Sequence, residues 1–138
     1  MNRVLLTGGS GKLGRYVRSA LVAQDFDVRN FDKVSCRSDI DQVQADILDR
    51  KRLESAMIDR DMVIHLAALD AAVPATEQAF FEINVQGTWN VLEAAERPVF
   101  SVWCCVPVLP RWESATKTCR TICRLMKSIP AVHDRLTV

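Results

Sequence analysis

Near the start of the chain, Thr7-Gly8-Gly9-Ser10-Gly11-Lys12-Leu13-Gly14 places glycines at 8, 11 and 14. They lie between a strand-like run, Val4 to Thr7, and apolar residues at helical spacing, Leu13, Val17, Ala20 and Leu21. Gly8 permits a sharp exit from the strand, Gly11 removes a Cβ from the approach to the turn, and Gly14 lets the helix pack closely. Amides at the helix start, those of Lys12 and Leu13 among them, are then free to meet an anion. The spacing fits the pyrophosphate of a dinucleotide. A P-loop is excluded, because the interval to Gly11-Lys12 is too short and Leu13 stands where a Ser or Thr is required.

Asp32 follows Gly14 by 18 residues, close to the offset at which a carboxylate accepts from the adenosine ribose hydroxyls. A phosphate on that ribose would be repelled, which favours NAD over NADP, although Lys33 and Arg37 stand near enough to compensate. Asp46 and Ile47 are placed to meet the adenine, the acid by accepting from its amino group and the Ile by packing on the ring; an exposed turn acid is the competing reading of Asp46. Leu66, Ala67 and Ala68 end another apolar run, where small residues would let a cofactor lie against the backbone. His65, inside that run, reads as a core histidine with a satisfied ring nitrogen rather than a proton shuttle.

These positions need a scaffold of alternating strands and helices. Asp27 to Asp32 reads as a second strand, Val43 to Ile47 as a third and Met62 to Leu66 as a fourth, with a helix over Asp49 to Met57. A long helix over Gln78 to Glu96 is expected to turn Phe81, Val85, Trp89, Leu92 and Ala95 toward the sheet. The fold class is α/β, a Rossmann-like doubly wound parallel sheet that stops after four or five strands.

Composition divides the chain. Residues 1 to 96 carry 11 Lys and Arg against 15 Asp and Glu, and residues 97 to 138 carry 7 against 2. All five glycines precede the seam, and four of the five cysteines and four of the five prolines follow it. The domain reading is a dinucleotide-binding half at 1–96 and an atypical basic tail at 97–138. A net charge of +1 argues against a counterion-driven nucleic-acid binder. No apolar run approaches the roughly 20 residues of a membrane span, and no signal peptide precedes the first strand, so a cytoplasmic setting is expected.

Thr7 to Gly14, Asp32, Asp46-Ile47, His65 to Ala68, and Asn84-Val85-Gln86-Gly87-Thr88 with the helix that follows resemble, in order and spacing, the extended short-chain dehydrogenase/reductase family of NAD-dependent epimerases and dehydratases. The resemblance covers residues 1 to about 96. It implies pyrophosphate at Gly8, Gly11 and Gly14, ribose at Asp32, adenine at Asp46 and Ile47, the dinucleotide along Ala67 and Ala68, and an active-site helix shaped by Asn84. It further implies a nucleotide-sugar substrate, hydride removal and return by NAD, and a homodimer paired through helices.

The family's proton machinery, a Ser and a Tyr-x-x-x-Lys pair, is missing. The single tyrosine, Tyr16, lies in the first helix without a lysine four residues on. No catalytic residue is therefore assigned, and a substrate could be handled only if a further part completed the site. The alternative is a non-catalytic dinucleotide-binding module that uses its basic tail for interactions.

Three readings compete for the tail. Cys104, Cys105, Cys119, Cys123 and His133 make a poor zinc set, because adjacent cysteines do not easily reach one tetrahedral ion, and no metal is assigned. A basic interaction segment is the second reading. The third, and preferred, is translation out of frame and poor order. In the shifted frame the genetic code forces Val from Trp103-Cys104, Leu from Cys104-Cys105, Gly from Trp112-Glu113 and Glu from Met126-Lys127. The permitted bases between them yield a fifth strand ending in the missing Ser-Ser. Val99 to Leu109 as written, interrupted by prolines and Cys104-Cys105, does not read as a central strand.

Overall fold

A computed structural model describes residues 3–36, 39–70 and 73–96, and the backbone of 101–104. Its first strand, β1 (Arg3–Thr7), is covered on both faces, which suits the uninterrupted run Val4-Leu5-Leu6. Val4 and Leu6 face α1 (Lys12–Val22), meeting Val17 and Leu21. Leu5 faces the opposite layer, with Leu53, Met57 and Val91. After α1 the chain reverses through Asp25, at φ +59°, with the Phe26 amide returned to the Leu21 carbonyl. It then enters β2 (Asp27–Asp32).

The strands β3 (Asp41–Gln44), β4 (Met62–His65) and β5 (Ser101–Cys104) complete a parallel sheet of order β3-β2-β1-β4-β5. Between β3 and β4 lies α2 (Arg50–Ala56), capped by the Asp49 side chain, which accepts from the Arg52 amide at 3.1 Å. The chain builds outward from β1 to β3 and then returns to β1's other side. The point between β1 and β4 is therefore where strand order reverses and where a crevice opens at the carboxyl ends.

Three readings shift. β3 starts and stops before the expected Val43–Ile47: its ends are exposed, and Ile47 plugs the core beyond the strand instead. The expected long helix is α3 (Glu77–Phe80), capped by Thr76, running into a π-helical turn (Phe81–Gln86) and then α4 (Gly87–Ala94). Phe81, Val85, Trp89 and Leu92, expected to face the sheet, point outward, whereas Val91 and Ala95 are buried. The small side of this helix meets the core because a Cβ on Gly87 would stand 2.8 Å from Ile47 Cγ2, an approach that only glycine allows.

Beyond the compositional seam, Ser101 to Cys104 pairs with Met62 to His65. An edge position in the described sheet needs one ladder, and the four-residue span avoids Pro98, Pro107 and Pro110. Arg37 and the tail from 105 onward lie outside the described residues, as do the side chains of 101–104.

Candidate functional site

The turn after β1 occupies the switch point. Gly8 has φ +74°, in the region glycine favours, and a Cβ there would stand 2.6 Å from the Ala67 amide nitrogen, so this turn lies on the exit of β4. A Cβ on Gly14 would run into the Gly8 carbonyl and Gly9 Cα, which seats α1 against the turn. Gly11 differs from both. Its φ is −71°, open to any residue, and a Cβ would meet only the Gly8 carbonyl, at 3.3 Å, with open space beyond. The fold alone leaves that space unfilled, as a cradle for an external group requires.

Gly11 precedes α1 and supplies no side-chain cap. Its own amide is taken by the Gly8 carbonyl, but among the described residues no main-chain bond engages the amides of Lys12, Leu13 and Gly14. These donors lie at the positive end of the helix, next in the chain to Gly11, where unengaged amides can receive an anion.

Asp32 ends β2 beside this turn. One of its carboxylate oxygens accepts from the Ser10 amide at 2.9 Å and the other from the Val34 amide at 3.0 Å. Each oxygen keeps a further lone pair for a hydroxyl. The turn has a second support that the motif did not reveal. Buried Asn30 donates to Ser10 Oγ at 3.2 Å, Ser10 Oγ donates to the Val34 carbonyl at 2.6 Å, and Arg18 donates to the Gly9 carbonyl at 3.0 Å. Gly9 is glycine because a Cβ there would overlap the Asn30 side chain. The available signal was Asn30 itself, a polar residue on the β2 face that also carries Val28.

Asp46 lies past β3. It accepts from the Leu48 amide at 3.0 Å and pairs with Lys33 at 3.1 Å. Burial alone would raise this carboxyl, but the Leu48 amide and the hydrogen bond and charge of Lys33 together hold it below the usual carboxylate value. Lys33 thus turns toward Asp46. The Ile47 side chain is core, 6% exposed, and its carbonyl accepts from Asn90.

At the end of β4, Leu66 is buried on the α1 side, and Ala67 and Ala68 are half-buried at the crevice. Asn84 clamps this exit from the π-helical turn, donating to the Leu69 carbonyl at 2.9 Å and accepting from the Leu69 amide at 2.8 Å. His65 has both ring nitrogens satisfied, Nδ1 by Thr7 at 2.7 Å and Nε2 by Thr88 at 3.0 Å. Burial lowers its pKa to about 4, so it is a neutral core histidine near neutral pH. Tyr16, beside Arg15, is 43% exposed and lies on α1, not on β4 or the π-helical turn. No cluster of metal-ligating side chains occurs among the described residues.

The family profile described as NAD dependent epimerase/dehydratase matches residues 4–105. The chain belongs to that family. Among its curated relatives, L-arabinose 1-dehydrogenase (NAD(P)(+)) of Haloferax volcanii is 38% identical over 95 residues, covering 69% of this chain and 36% of the relative. The N-acetyl-alpha-D-glucosaminyl-diphospho-ditrans,octacis-undecaprenol 4-epimerase of Escherichia coli O157:H7 is 35% identical over 98 residues, covering 70% and 29%. Among solved structures, a short-chain dehydrogenase/reductase superfamily protein from Agrobacterium tumefaciens with bound NAD superposes with a TM-score of 0.65 at 32% identity, covering 73% of this chain and 32% of that one. The UDP-glucose 4-epimerase of Thermus thermophilus, in complex with NAD, gives 0.60 at 28% identity, covering 67% and 33%. This family member thus spans about a third of the length of these relatives. No described helix is long and apolar enough to cross a membrane.

Proposed function

We propose that the chain binds NAD as the dinucleotide-binding portion of an epimerase or dehydratase acting on a nucleotide sugar or related substrate, and that it lacks turnover by itself. The observation carrying this reading is the open space at Gly11, next in the chain to the unengaged amides of Lys12, Leu13 and Gly14, in a turn whose Ser10 amide is held by Asp32. In this assignment Gly8, Gly11, Lys12, Leu13 and Gly14 receive the diphosphate and Asp32 accepts from the ribose. Asp46 and Ile47 meet the adenine. Leu66, Ala67, Ala68 and Asn84 border the remaining half.

When bound, NAD supplies a hydride acceptor. The residues assigned above hold and orient it, and among the described residues none is assigned to move the substrate's proton. His65 is neutral and enclosed, and Tyr16, the single tyrosine, lies on α1. The preference for NAD over NADP rests on Asp32, which repels a ribose phosphate, and on Lys33 being drawn to Asp46.

Calorimetric titration of the full chain with NAD and NADP tests the reading. One site per chain, tighter for NAD, is expected; absence of heat and of thermal protection with both cofactors would refute it. Assayed with sugar nucleotides and NAD, the chain is expected to give no reduced cofactor, and steady turnover would refute the assigned lack of competence.

The same proposal traces the missing Ser and Tyr-x-x-x-Lys to a change of reading frame near Glu96. The forced Val, Leu, Gly and Glu of the alternative frame support it. Sequencing the encoding DNA is expected to find that pair downstream in another frame, and its absence there would end this part. Pairing of two copies through the outward strip of Val85, Trp89 and Leu92 belongs to the same reading, with sedimentation equilibrium as its check.

A further inference from the structure

Thr7 and His65 are cross-strand neighbours at the carboxyl ends of β1 and β4, 0% and 1% exposed, on the face that α4 covers. A line of hydrogen bonds runs through them. The Ala67 amide points to Thr7 Oγ1 at 3.4 Å, Thr7 Oγ1 and His65 Nδ1 are 2.7 Å apart, His65 Nε2 and Thr88 Oγ1 are 3.0 Å apart, and Thr88 Oγ1 donates to the Asn84 carbonyl at 2.7 Å.

The direction of every proton in this line follows from its far end. A carbonyl only accepts, so the single Thr88 hydroxyl proton is committed to Asn84, and Thr88 can only accept from His65. Nε2 therefore carries the ring proton and Nδ1 a lone pair. Thr7 must then donate to Nδ1, leaving its own lone pairs for the Ala67 amide. One neutral tautomer satisfies all members, and the line ends on the residue whose side chain already clamps Leu69.

The place of this line matters. The phosphate turn stands at β1 and the adenine-side acids on β2 and beyond β3, so a dinucleotide laid across the switch point extends its other half over the exit of β4. We propose that Thr7, His65 and Thr88 are positioning residues which, as one directional relay, hold Ala67 to Leu69 and the π-helical turn at the spacing that admits the nicotinamide half. This rests on the NAD-binding reading above and adds to it three residues outside the positions assigned to phosphate and ribose.

The test compares NAD with ADP, which lacks the nicotinamide half, on the full chain and on two variants. The unsubstituted chain is expected to bind NAD more tightly than ADP, and nitrogen-15 NMR is expected to show His65 protonated at Nε2. Thr88→Val keeps the shape but leaves the Nε2 proton without an acceptor. It is expected to weaken NAD about tenfold, the size of one lost buried hydrogen bond, with ADP affinity retained. Thr88→Ser, which restores the hydroxyl, is expected to recover NAD affinity and the tautomer signal. Unchanged NAD affinity in Thr88→Val, equal loss of NAD and ADP, or protonation at Nδ1 in the unsubstituted chain would each overturn the relay while leaving dinucleotide binding standing. Failure of the unsubstituted chain to bind either ligand would overturn both.

Discussion

The main-chain amide of Ser10 donates to the Asp32 carboxylate at 2.9 Å, so the acid assigned to the ribose also fixes the turn assigned to the diphosphate. The two halves of the candidate site are one hydrogen-bonded unit. A change at Asp32 therefore acts on both.

Asp32→Asn replaces one acceptor oxygen by an amino group, which then faces an N–H of Ser10 or Val34. NAD affinity is expected to fall about tenfold or more, through the lost ribose acceptor and the loosened turn. Affinity for NADP is expected to fall less, because the repelling charge is gone. Titrating both cofactors gives the ratio, and an NAD-to-NADP preference equal to that of the unsubstituted chain would contradict the role of Asp32.

Gly11 and Gly14 separate binding from stability. Alanine at Gly14 drives its Cβ into the Gly8 carbonyl, a backbone atom with no room to move, and is expected to cost about 2–3 kcal/mol of folding stability. Alanine at Gly11 meets only a 3.3 Å contact at a permitted φ and is expected to change stability by less than about 0.5 kcal/mol. Its methyl group, however, enters the space assigned to the diphosphate, so NAD binding is expected to drop sharply. Urea denaturation paired with calorimetry reads both quantities, and full NAD affinity in Gly11→Ala would contradict the cradle.

His65 supplies a pH signature. Burial lowers its pKa from 6.5 to about 4, so between those values the unfolded chain holds more protons than the folded one. Stability is then unaffected by this group above the unfolded pKa and declines as pH falls through the window. The total loss below both values is on the order of 3 kcal/mol. His65→Gln is expected to lower stability at neutral pH and to flatten this part of the profile. Denaturant midpoints measured across the window check it, and an equally steep decline in the variant would remove His65 as the cause.

Where side-chain chemistry and spacing act locally, the sequence was legible. The Gly8-Gly11-Gly14 turn, the ends of β2 at Asp32 and the enclosure of His65 all follow from residue type and neighbours. What stayed hidden depends on partners distant in sequence. Asn30 makes sense of Gly9 only once β2 lies beside the turn, and Thr88 joins His65 only once α4 covers β4. The helix face was misread for a related reason. Bulk at Phe81, Val85, Trp89 and Leu92 is a strong apolar signal, but Gly87 against Ile47 brings the helix in on its small side. Nor did the prolines around Ser101 to Cys104 reveal a strand there, since its ladder to β4 joins residues distant in sequence.

Adjacent residues of α4 test that orientation directly. Val91 is 0% exposed and packs with Leu5, Leu53 and Val63, whereas Leu92 is 45% exposed on the outward side. Val91→Ala leaves a void between helix and sheet and is expected to destabilise by about 2 kcal/mol. Leu92→Ala removes more side chain but is expected to cost less than about 0.5 kcal/mol in the monomeric chain, because little of it leaves an apolar environment. Urea midpoints measured at low protein concentration distinguish the two, and a larger loss for Leu92→Ala would reverse the assignment of the helix face. If two copies pair through this side, the Leu92 variant acquires a cost that grows with protein concentration, because the buried partner surface stabilises only the associated state.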